Sequence, residues 1–168
     1  TVAPSGIAAL QIGGSTIHYL MRWTANNIDN SQITPKDEQY KIIQNMNTLI
    51  VDEISMVSTN MLLEMSRQMS NIRNIHGKFM AGIRTIFVGD EAQMPPIMPK
   101  YGLTTEMRLA NMALVRLANL TDDNGNPLVK LFMLNEFVRC KDDIDLQTVL
   151  IKIRRGNIDD ELMRLLSK

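Results

Sequence analysis

The chain has 168 residues, of which 45% are hydrophobic and 21% charged, and its 18 basic residues balance its 18 acidic ones. These values are typical of one soluble globular domain and leave no basic bulk, so any nucleic-acid contact must come from a local patch. The single cysteine, Cys140, excludes an internal disulfide framework and favours a reducing, intracellular compartment. No apolar run reaches the roughly 18 residues that a membrane helix needs.

The hydrophobic pattern predicts strands that alternate with helices, which is typical of a mostly parallel sheet covered on both faces. A strand remnant is expected at residues 1–3, strands buried on both faces at 49–53 and 83–88, and a further strand at 129–134. Predicted helices cover residues 7–12, 17–21, 36–46, 58–75, 104–120 and 144–166, the last with a break at Gly156. A polar surface loop is expected over residues 26–35.

The first chemical signal ends the strand predicted at 49–53, where an apolar run passes into Asp52 and Glu53. The carboxyl ends of parallel strands are where open α/β sheets bind their ligands. Nucleotide hydrolases place a magnesium-binding Asp there, the Walker B carboxylate, and an adjacent Glu can orient the attacking water. A solvated acidic pair at a strand end is the ordinary alternative, and this motif alone does not decide between the two.

The strand predicted at 83–88 also ends in an acidic signature, Gly89-Asp90, followed by Gln93 and the rigid Pro95-Pro96. The amide of Gln93 could reach a ligand held at the neighbouring strand and detect its terminal phosphate, and the prolines would keep the loop stiff. Gly-Asp also occurs in ordinary turns. The two strand ends taken together favour a function.

Two N-terminal segments could contact nucleic acid. Pro4-Ser5-Gly6 opens a helix whose free backbone N–H groups suit a phosphate. Ser15-Thr16 can cap a second helix, and His18 with the nearby Tyr19 and Trp23 could stack on unpaired bases. On local grounds the ordinary alternatives are favoured, namely a strand-to-helix turn, a structural histidine and core aromatics.

Arg139 follows the strand predicted at 129–134 and could neutralise charge on a transferred phosphoryl group. Without further context, a surface salt bridge is the favoured alternative. The sequence contains no Gly-x-x-x-x-Gly-Lys-Ser/Thr phosphate loop. Two histidines with one cysteine also argue against a structural zinc site.

The order of the motifs is more specific than any one of them. The chain presents, in succession, Ala-Pro-Ser-Gly-Ile-Ala-Ala, Gly-Gly-Ser-Thr-Ile-His, Leu-Ile-Val-Asp-Glu-Ile-Ser-Met, Val-Gly-Asp-x-x-Gln-Met-Pro-Pro and Leu-x-x-x-x-Arg-x-x-Asp. This succession resembles the Pif-type (petite integration frequency) DNA helicases of superfamily 1B, the relatives of RecD. The resemblance spans nearly the whole chain.

The resemblance implies an α/β fold of the RecA-like P-loop NTPase type, with residues 1–168 forming a single first motor domain. It implies ATP and Mg²⁺ as cofactors, with Mg²⁺ held by Asp52 through water and Gln93 acting as the γ-phosphate sensor. The implied catalytic residues are Asp52, Glu53, Gln93 and Arg139, and Asp90 joins them in binding the nucleotide. The implied DNA-binding residues are Pro4, Ser5, Gly6, Thr16 and His18.

The implied function is ATP-driven 5′-to-3′ unwinding of duplex, forked and G-quadruplex DNA, with translocation on single-stranded DNA. Such activity serves DNA replication, repair, recombination or telomere maintenance. We expect a monomeric intracellular protein with no membrane association, in the nucleus, the mitochondrion or a viral replication site.

Several features depart from the family pattern. Tyr19 replaces the usual Ser, Met94 replaces the usual Leu, and the residues flanking Arg139 differ from the usual ones. We expect the chain to be truncated before its first strand and P-loop, to lack the second motor domain, and not to unwind DNA alone. The alternative functions are a P-loop-less homologue that binds DNA or a partner without hydrolysis, and an unrelated Walker-type NTPase.

Overall fold

A four-stranded sheet in which every strand pair is parallel forms the framework of the chain. The computed structural model describes residues 1–24, 28, 32–97 and 104–167. The strands are β1 Val2–Ala3, β2 Ser15–Thr16, β3 Thr48–Val51 and β4 Arg84–Phe87, in the spatial order β2-β1-β3-β4. Val2 lies opposite both Ser15 and Val51, and Val51 lies opposite Phe87, so the strands end at nearly the same level. The prediction of a mostly parallel α/β sheet is confirmed.

Helices follow the strands, as the alternating pattern predicted. Within the described residues they are α1 Gly6–Gln11, α2 Ile17–Met21, α3 Glu38–Asn45, α4 Thr59–Arg73, α5 Thr105–Ala110, α6 Ala113–Ala118, α7 Ile144–Arg154 and α8 Asp160–Leu166. The start of α4 is set by Ser58, whose Oγ accepts a hydrogen bond from the N–H of Met61 at 3.2 Å. None of the described helices is long and apolar enough to cross a membrane.

The chain divides into two compact units, Thr1–Val129 and Lys130–Lys168. The core of the first unit includes residues of β3 and of the apolar stripe of α4. Leu49 and Val51 are fully buried on β3, and Leu62 and Met65 are fully buried on α4. Burying a side chain of this size contributes about 1.5–3 kcal/mol. As the sequence predicted, the apolar run therefore forms the buried strand β3, and the helical periodicity gives α4 a buried face.

The strand predicted at 83–88 exists as β4, but the prediction that it is buried on both faces is wrong. Ile86 is 47% exposed and Val88, just beyond the strand, is 44% exposed. Among the described strands β4 pairs only with β3, so it lies at the edge of the sheet. Its apolar side chains are therefore covered less than those of the central β3.

The single helix predicted over residues 104–120 is two helices, α5 and α6. Between them, Met112 forms an antiparallel bridge with Ser58. The N–H of Thr59 donates to the carbonyl of Asn111 at 2.8 Å, and the N–H of Ala113 donates to the carbonyl of Val57 at 3.0 Å. These bonds use the backbone of residues 111–113 to join the start of α4, which interrupts the helix.

The strand predicted at 129–134 is wrong. Residues 130–137 have no regular secondary structure, and Leu131 and Leu134 are 77% and 94% exposed. A strand must pair its backbone groups with a neighbour, and no described strand pairs with this run. Apolar composition alone therefore did not determine its structure. The loop predicted over 26–35 lies partly outside the described residues.

The second unit contains α7 and α8, and Gly156 separates them with a φ of 66°, as predicted. Lys152 on α7 binds two carboxylates at the start of α8. Its Nζ lies 2.5 Å from Oδ2 of Asp159 and 2.7 Å from Oε2 of Glu161. The hydrogen bond from Lys152 lowers the pKa of Asp159, and the bond from the backbone N–H of Leu162 lowers it further.

Replacing Lys152 with Met is expected to raise the pKa of Asp159, because it removes the largest cause of the lowered value. Since the folded pKa lies below the unfolded one, this carboxylate stabilises the fold at neutral pH and loses that effect as the pH falls through the folded pKa. An NMR titration of the Asp159 carboxyl carbon measures the change. Lys141→Met is the control, because Lys141 forms no ion pair with a described residue. An unchanged pKa in Lys152→Met would contradict the assignment.

Candidate nucleotide and nucleic-acid site

The residues singled out as site candidates in the first unit lie at or after the carboxyl ends of the strands, along one edge of the sheet. Pro4-Ser5-Gly6 follows β1, and His18 lies just after β2. Asp52 follows β3, and Gly89 lies two residues beyond β4. Because the spatial order is β2-β1-β3-β4, the DNA-binding candidates occupy one half of this edge and the nucleotide-binding candidates the other half. This is the edge at which open parallel sheets bind ligands.

The acidic turn, residues 52–55 directly after β3, is hydrogen-bonded on both of its sides. The N–H of Asp52 donates to the carbonyl of Val2 at 2.9 Å, and the N–H of Ile54 donates to the carbonyl of Val88, also at 2.9 Å. The N–H of Val88 in turn donates to the carbonyl of Val51 at 2.8 Å. The position of the turn is therefore set by β1 and by the residue that follows β4.

Glu53 adopts a left-handed backbone conformation, with φ 52° and ψ 45°. Such a conformation costs a residue other than glycine about 1–3 kcal/mol, and it persists only where the surrounding structure enforces it. Oδ1 of Asp52 accepts a hydrogen bond from the N–H of Glu53 at 3.0 Å. Both carboxylates are half-buried. The strained backbone of Glu53 and the partial burial of both residues favour a functional site over the solvated acidic pair that the sequence left open.

Asp90 organises the loop that carries Gln93. Its Oδ1 accepts a hydrogen bond from the N–H of Ala92 at 2.9 Å, and its carbonyl accepts one from the N–H of Gln93 at 3.1 Å. The side-chain amide of Gln93 also approaches Oδ2 of Asp90 at 3.5 Å, and Gln93 itself is exposed. The loop holds an exposed amide on a defined backbone, which suits the predicted sensing of a ligand.

Gly89 has a structural role that the sequence reasoning missed. A Cβ atom at this position would lie 2.9 Å from the backbone nitrogen of Ile54 and 3.4 Å from that of Ser55. Gly89, two residues beyond β4, therefore packs directly against the backbone of the acidic turn, and only glycine leaves room. A glycine immediately after a strand was the available signal, although such a glycine also occurs in ordinary turns.

The N-terminal segments begin helices, as predicted. Oγ of Ser5 accepts a hydrogen bond from the N–H of Ala8 at 3.2 Å, and Oγ1 of Thr16 accepts one from the N–H of Tyr19 at 3.1 Å. Pro4 and Ser5 are half-buried and Gly6 is exposed, so this turn is partly open to solvent. Both hydroxyls cap helices, which is a structural role that does not by itself require DNA.

His18 is half-buried, and its ring meets the ring of Trp23 edge-on, with 5.9 Å between the centroids. Trp23 is 6% exposed and packs in the core. The suggestion that Trp23 could stack on bases is therefore wrong, because its ring is covered by protein. Tyr19 is exposed, so His18 and Tyr19 remain the aromatic candidates.

Arg139 lies in the second unit and is exposed. Its predicted place at the nucleotide site stays a prediction.

The carboxylate of Asp52 could hold a Mg²⁺ ion that accompanies a nucleotide. No group of three or more His, Cys, Asp or Glu side chains that could hold a metal occurs within the described residues. Mg²⁺ usually keeps several waters and takes one or two carboxylates together with substrate phosphates. The single half-buried carboxylate of Asp52 fits that mode of binding.

Replacing Thr16 with Val is expected to lower the free energy of unfolding by about 1 kcal/mol, because the isosteric side chain cannot accept the hydrogen bond of the helix cap. Thr16→Ser keeps the acceptor oxygen and is expected to stay close to wild type. Urea denaturation of the chain measures both. Equal stability of the two variants would show that the cap contributes nothing.

Comparisons with known proteins identify the family of the chain. The sequence model of a family described as PIF1-like helicase matches residues 1–162. The chain is 30% identical over 170 residues to the ATP-dependent DNA helicase PIF1 of Saccharomyces cerevisiae (strain YJM789). The alignment covers 99% of this chain and 18% of that protein. The chain therefore spans less than a fifth of this relative.

Solved structures show the same fold. The Pif1 helicase from Bacteroides, crystallised with ADP-AlF3 and ssDNA, matches with a TM-score of 0.73 at 24% identity, covering 99% of this chain and 38% of that one. A structure from work on DNA unwinding at forked dsDNA by two coordinating Pif1 helicases matches with a TM-score of 0.62 at 25% identity, covering 99% and 40%. The RecA-like fold prediction is thereby confirmed, and the chain belongs to the PIF1-like helicase family.

Proposed function

We propose that this chain acts within an ATP-dependent DNA helicase, where its sheet edge couples ATP hydrolysis to movement on single-stranded DNA. The observation that carries the proposal is the division of that edge between the two candidate ligands. The segments after β2 and β1 suit a nucleic-acid backbone, and those after β3 and β4 suit a nucleotide. The related Bacteroides helicase was crystallised with both ADP-AlF3 and ssDNA, which supports the pairing of these ligands.

In the nucleotide half, the proposal gives each side chain one task. Asp52 binds the hydrated Mg²⁺ that accompanies ATP, and a bound Mg²⁺ neutralises charge on the phosphates. Glu53 holds the attacking water and accepts its proton on the side-chain carboxylate. The exposed amide of Gln93 donates a hydrogen bond to the terminal phosphate. Asp90 keeps the Gln93 loop in shape, and Arg139 is the proposed source of positive charge at the phosphoryl group.

In the DNA half, the backbone N–H groups at the start of α1 bind a phosphate, and Pro4, Ser5 and Gly6 shape that turn. Thr16 caps the start of α2. The ring of His18 on this helix then lies beside the bound DNA strand. The formal net charge of +0 means that binding depends on these local groups, since the chain has no general basic surface. The contacts therefore suit an unpaired strand, whose bases are open to stacking.

The finer assignments follow from the family resemblance and belong to the proposal. They are translocation in the 5′-to-3′ direction, action on forked and G-quadruplex DNA, and a role in replication, repair, recombination or telomere maintenance. A related structure concerns unwinding at forked dsDNA by two coordinating Pif1 helicases, which supports the forked substrate. We propose that the basic unit is a monomer. Two such monomers could act together on one fork.

Hydrolysis also needs a phosphate-binding loop, and the 168-residue sequence does not contain the Gly-x-x-x-x-Gly-Lys-Ser/Thr motif of such a loop. The proposal therefore requires that a P-loop be supplied from outside this sequence, and its tests use the complete polypeptide that carries the chain. A second candidate is a homologue that binds DNA or a partner without hydrolysis.

Replacing Glu53 with Gln in the complete polypeptide is expected to lower the ssDNA-stimulated ATPase rate by roughly 100-fold or more, because the amide cannot accept the proton of the attacking water. Nucleotide binding, measured with a fluorescent ATP analogue, is expected to persist. The wild type is assayed in parallel with and without ssDNA.

Glu91→Gln is the matched control, because it removes a nearby exposed carboxylate that has no proposed catalytic task. Unchanged turnover in Glu53→Gln would refute the role of Glu53. A wild-type polypeptide that binds ssDNA but shows no stimulated hydrolysis would support the non-hydrolysing candidate. ATPase activity that does not respond to ssDNA would instead favour an unrelated NTPase.

Replacing His18 with Ala is expected to weaken ssDNA binding by about 1–3 kcal/mol, the usual contribution of one stacked base. His18→Phe keeps an aromatic face and should retain most of the affinity. His76, the chain's other histidine, is exposed after α4, so His76→Ala is the control. Fluorescence anisotropy with labelled oligonucleotides measures the affinities. Equal affinity of His18→Ala and wild type would remove His18 from the DNA site.

A further inference from the structure

Gly89 joins the two loops of the nucleotide half by direct backbone contact. A Cβ atom at Gly89 would lie 2.9 Å from the nitrogen of Ile54 and 3.0 Å from its Cγ2. The N–H of Ile54 also donates to the carbonyl of Val88, the residue before Gly89, at 2.9 Å. The contact is therefore both sterically tight and hydrogen-bonded.

The contact lies between the loop that carries Gln93 and the turn that carries Glu53. On one side, Gly89 leads into Asp90, whose carbonyl and carboxylate bind the backbone of the Gln93 loop. On the other side, Ile54 directly follows Glu53, whose left-handed conformation must be enforced by its surroundings. Ile54 and Ser55 are almost completely buried, so the turn has little room to move independently of Gly89.

Ser55 adds a second sign of tight packing at this point. Its side chain is fully buried, and its hydroxyl makes no hydrogen bond within the described part of the chain. The backbone nitrogen of Ser55 would lie 3.4 Å from a Cβ at Gly89. Close-packed interiors have low compressibility and transmit strain. A shift of the residues after β4 must therefore be accompanied by a shift of the acidic turn.

From these contacts we infer that Gly89 is a positioning residue for Glu53, through which the state of the Gln93 loop sets the placement of the catalytic carboxylate. The inference rests on the proposed function and adds to it a route from phosphate sensing to the base. Gln93 engages the terminal phosphate, the loop adjusts, and the backbone of Gly89 carries the adjustment to Ile54 and Glu53. Hydrolysis then proceeds only when the sensor is engaged.

The test uses Gly89→Ala in the complete polypeptide, with ATPase rates measured over a range of ATP concentrations at saturating ssDNA. The added methyl group must push the acidic turn away, and a misplacement of about 1 Å costs about 100-fold in rate. We expect kcat to fall by roughly 10- to 100-fold, while the KM for ATP and the Kd for ssDNA stay close to wild type. A fall in kcat alone separates positioning from a general loss of structure.

Gly14→Ala is the matched control. A Cβ at Gly14 would lie 2.5 Å from the carbonyl oxygen of Thr1, so the steric conflict is at least as severe, but its nearest atoms all belong to Thr1 and none to the acidic turn. This variant is expected to lose thermal stability without the selective fall in kcat. If Gly14→Ala and Gly89→Ala show the same kinetic profile, Gly89 has only a structural role and the inference fails.

A second measurement covers the case in which Gly89→Ala does not fold. Hydrogen exchange of the complete polypeptide is followed with and without Mg²⁺ and a non-hydrolysable ATP analogue, comparing residues 53–57 with residues 89–97. Both segments are expected to gain protection in the wild type, and Gln93→Ala is expected to reduce the gain at 53–57 to the part that direct binding at Asp52 and Glu53 contributes. A gain at 53–57 that is as large in Gln93→Ala as in the wild type would overturn the inference.

These outcomes separate the inference from the proposed function. A wild type without ssDNA-stimulated hydrolysis contradicts the proposed function. An active wild type whose kcat is unchanged by Gly89→Ala contradicts the role of Gly89 alone.

Discussion

The acidic turn after β3 is held by hydrogen bonds to the strands on either side, and the arrangement of the candidate site depends on them. The N–H groups of Asp52 and Ile54 donate to the carbonyls of Val2 and Val88, each at 2.9 Å. Each bond is worth only about 0.5–1.5 kcal/mol in net stability. Their more important effect is positional, because they fix Glu53 between the DNA-binding candidates after β1 and the Gln93 loop after β4. The parallel register makes both bonds possible, since it brings the strand ends to one level.

The sequence predicted those elements whose pattern depends on burial or on a local cap. The apolar run of β3 predicts a buried central strand. The helical stripe of α4 predicts a helix, and the serine before it caps the helix start with its hydroxyl. The grouping of the site residues was also predictable, because carboxyl ends of parallel strands share an edge. Asp52, Gln93 and the segments after β1 and β2 could therefore be assigned to one edge from their positions in the chain alone.

The rest could not be predicted because it depends on contacts between distant parts of the chain. Residues 111–113 leave the helical path in order to bond the residues around Ser58, a partner that no local pattern reveals. The apolar run at 129–134 resembles a strand but has no described strand beside it. The close approach of Gly89 to Ile54 and the burial of Trp23 likewise require the three-dimensional arrangement. The left-handed conformation of Glu53 has no sequence signal, because an acidic residue rarely adopts it without such support.

The packing of Trp23 against His18 gives the chain a built-in optical reporter. Trp23 is the chain's one tryptophan, so fluorescence excited in the indole band arises from this residue. Its ring is buried beside the start of α2, and its backbone N–H donates to the carbonyl of His18 at 2.8 Å. The emission of this chain therefore senses the environment of one short helix, and a ligand that reorients the imidazole of His18 changes the signal without any added label.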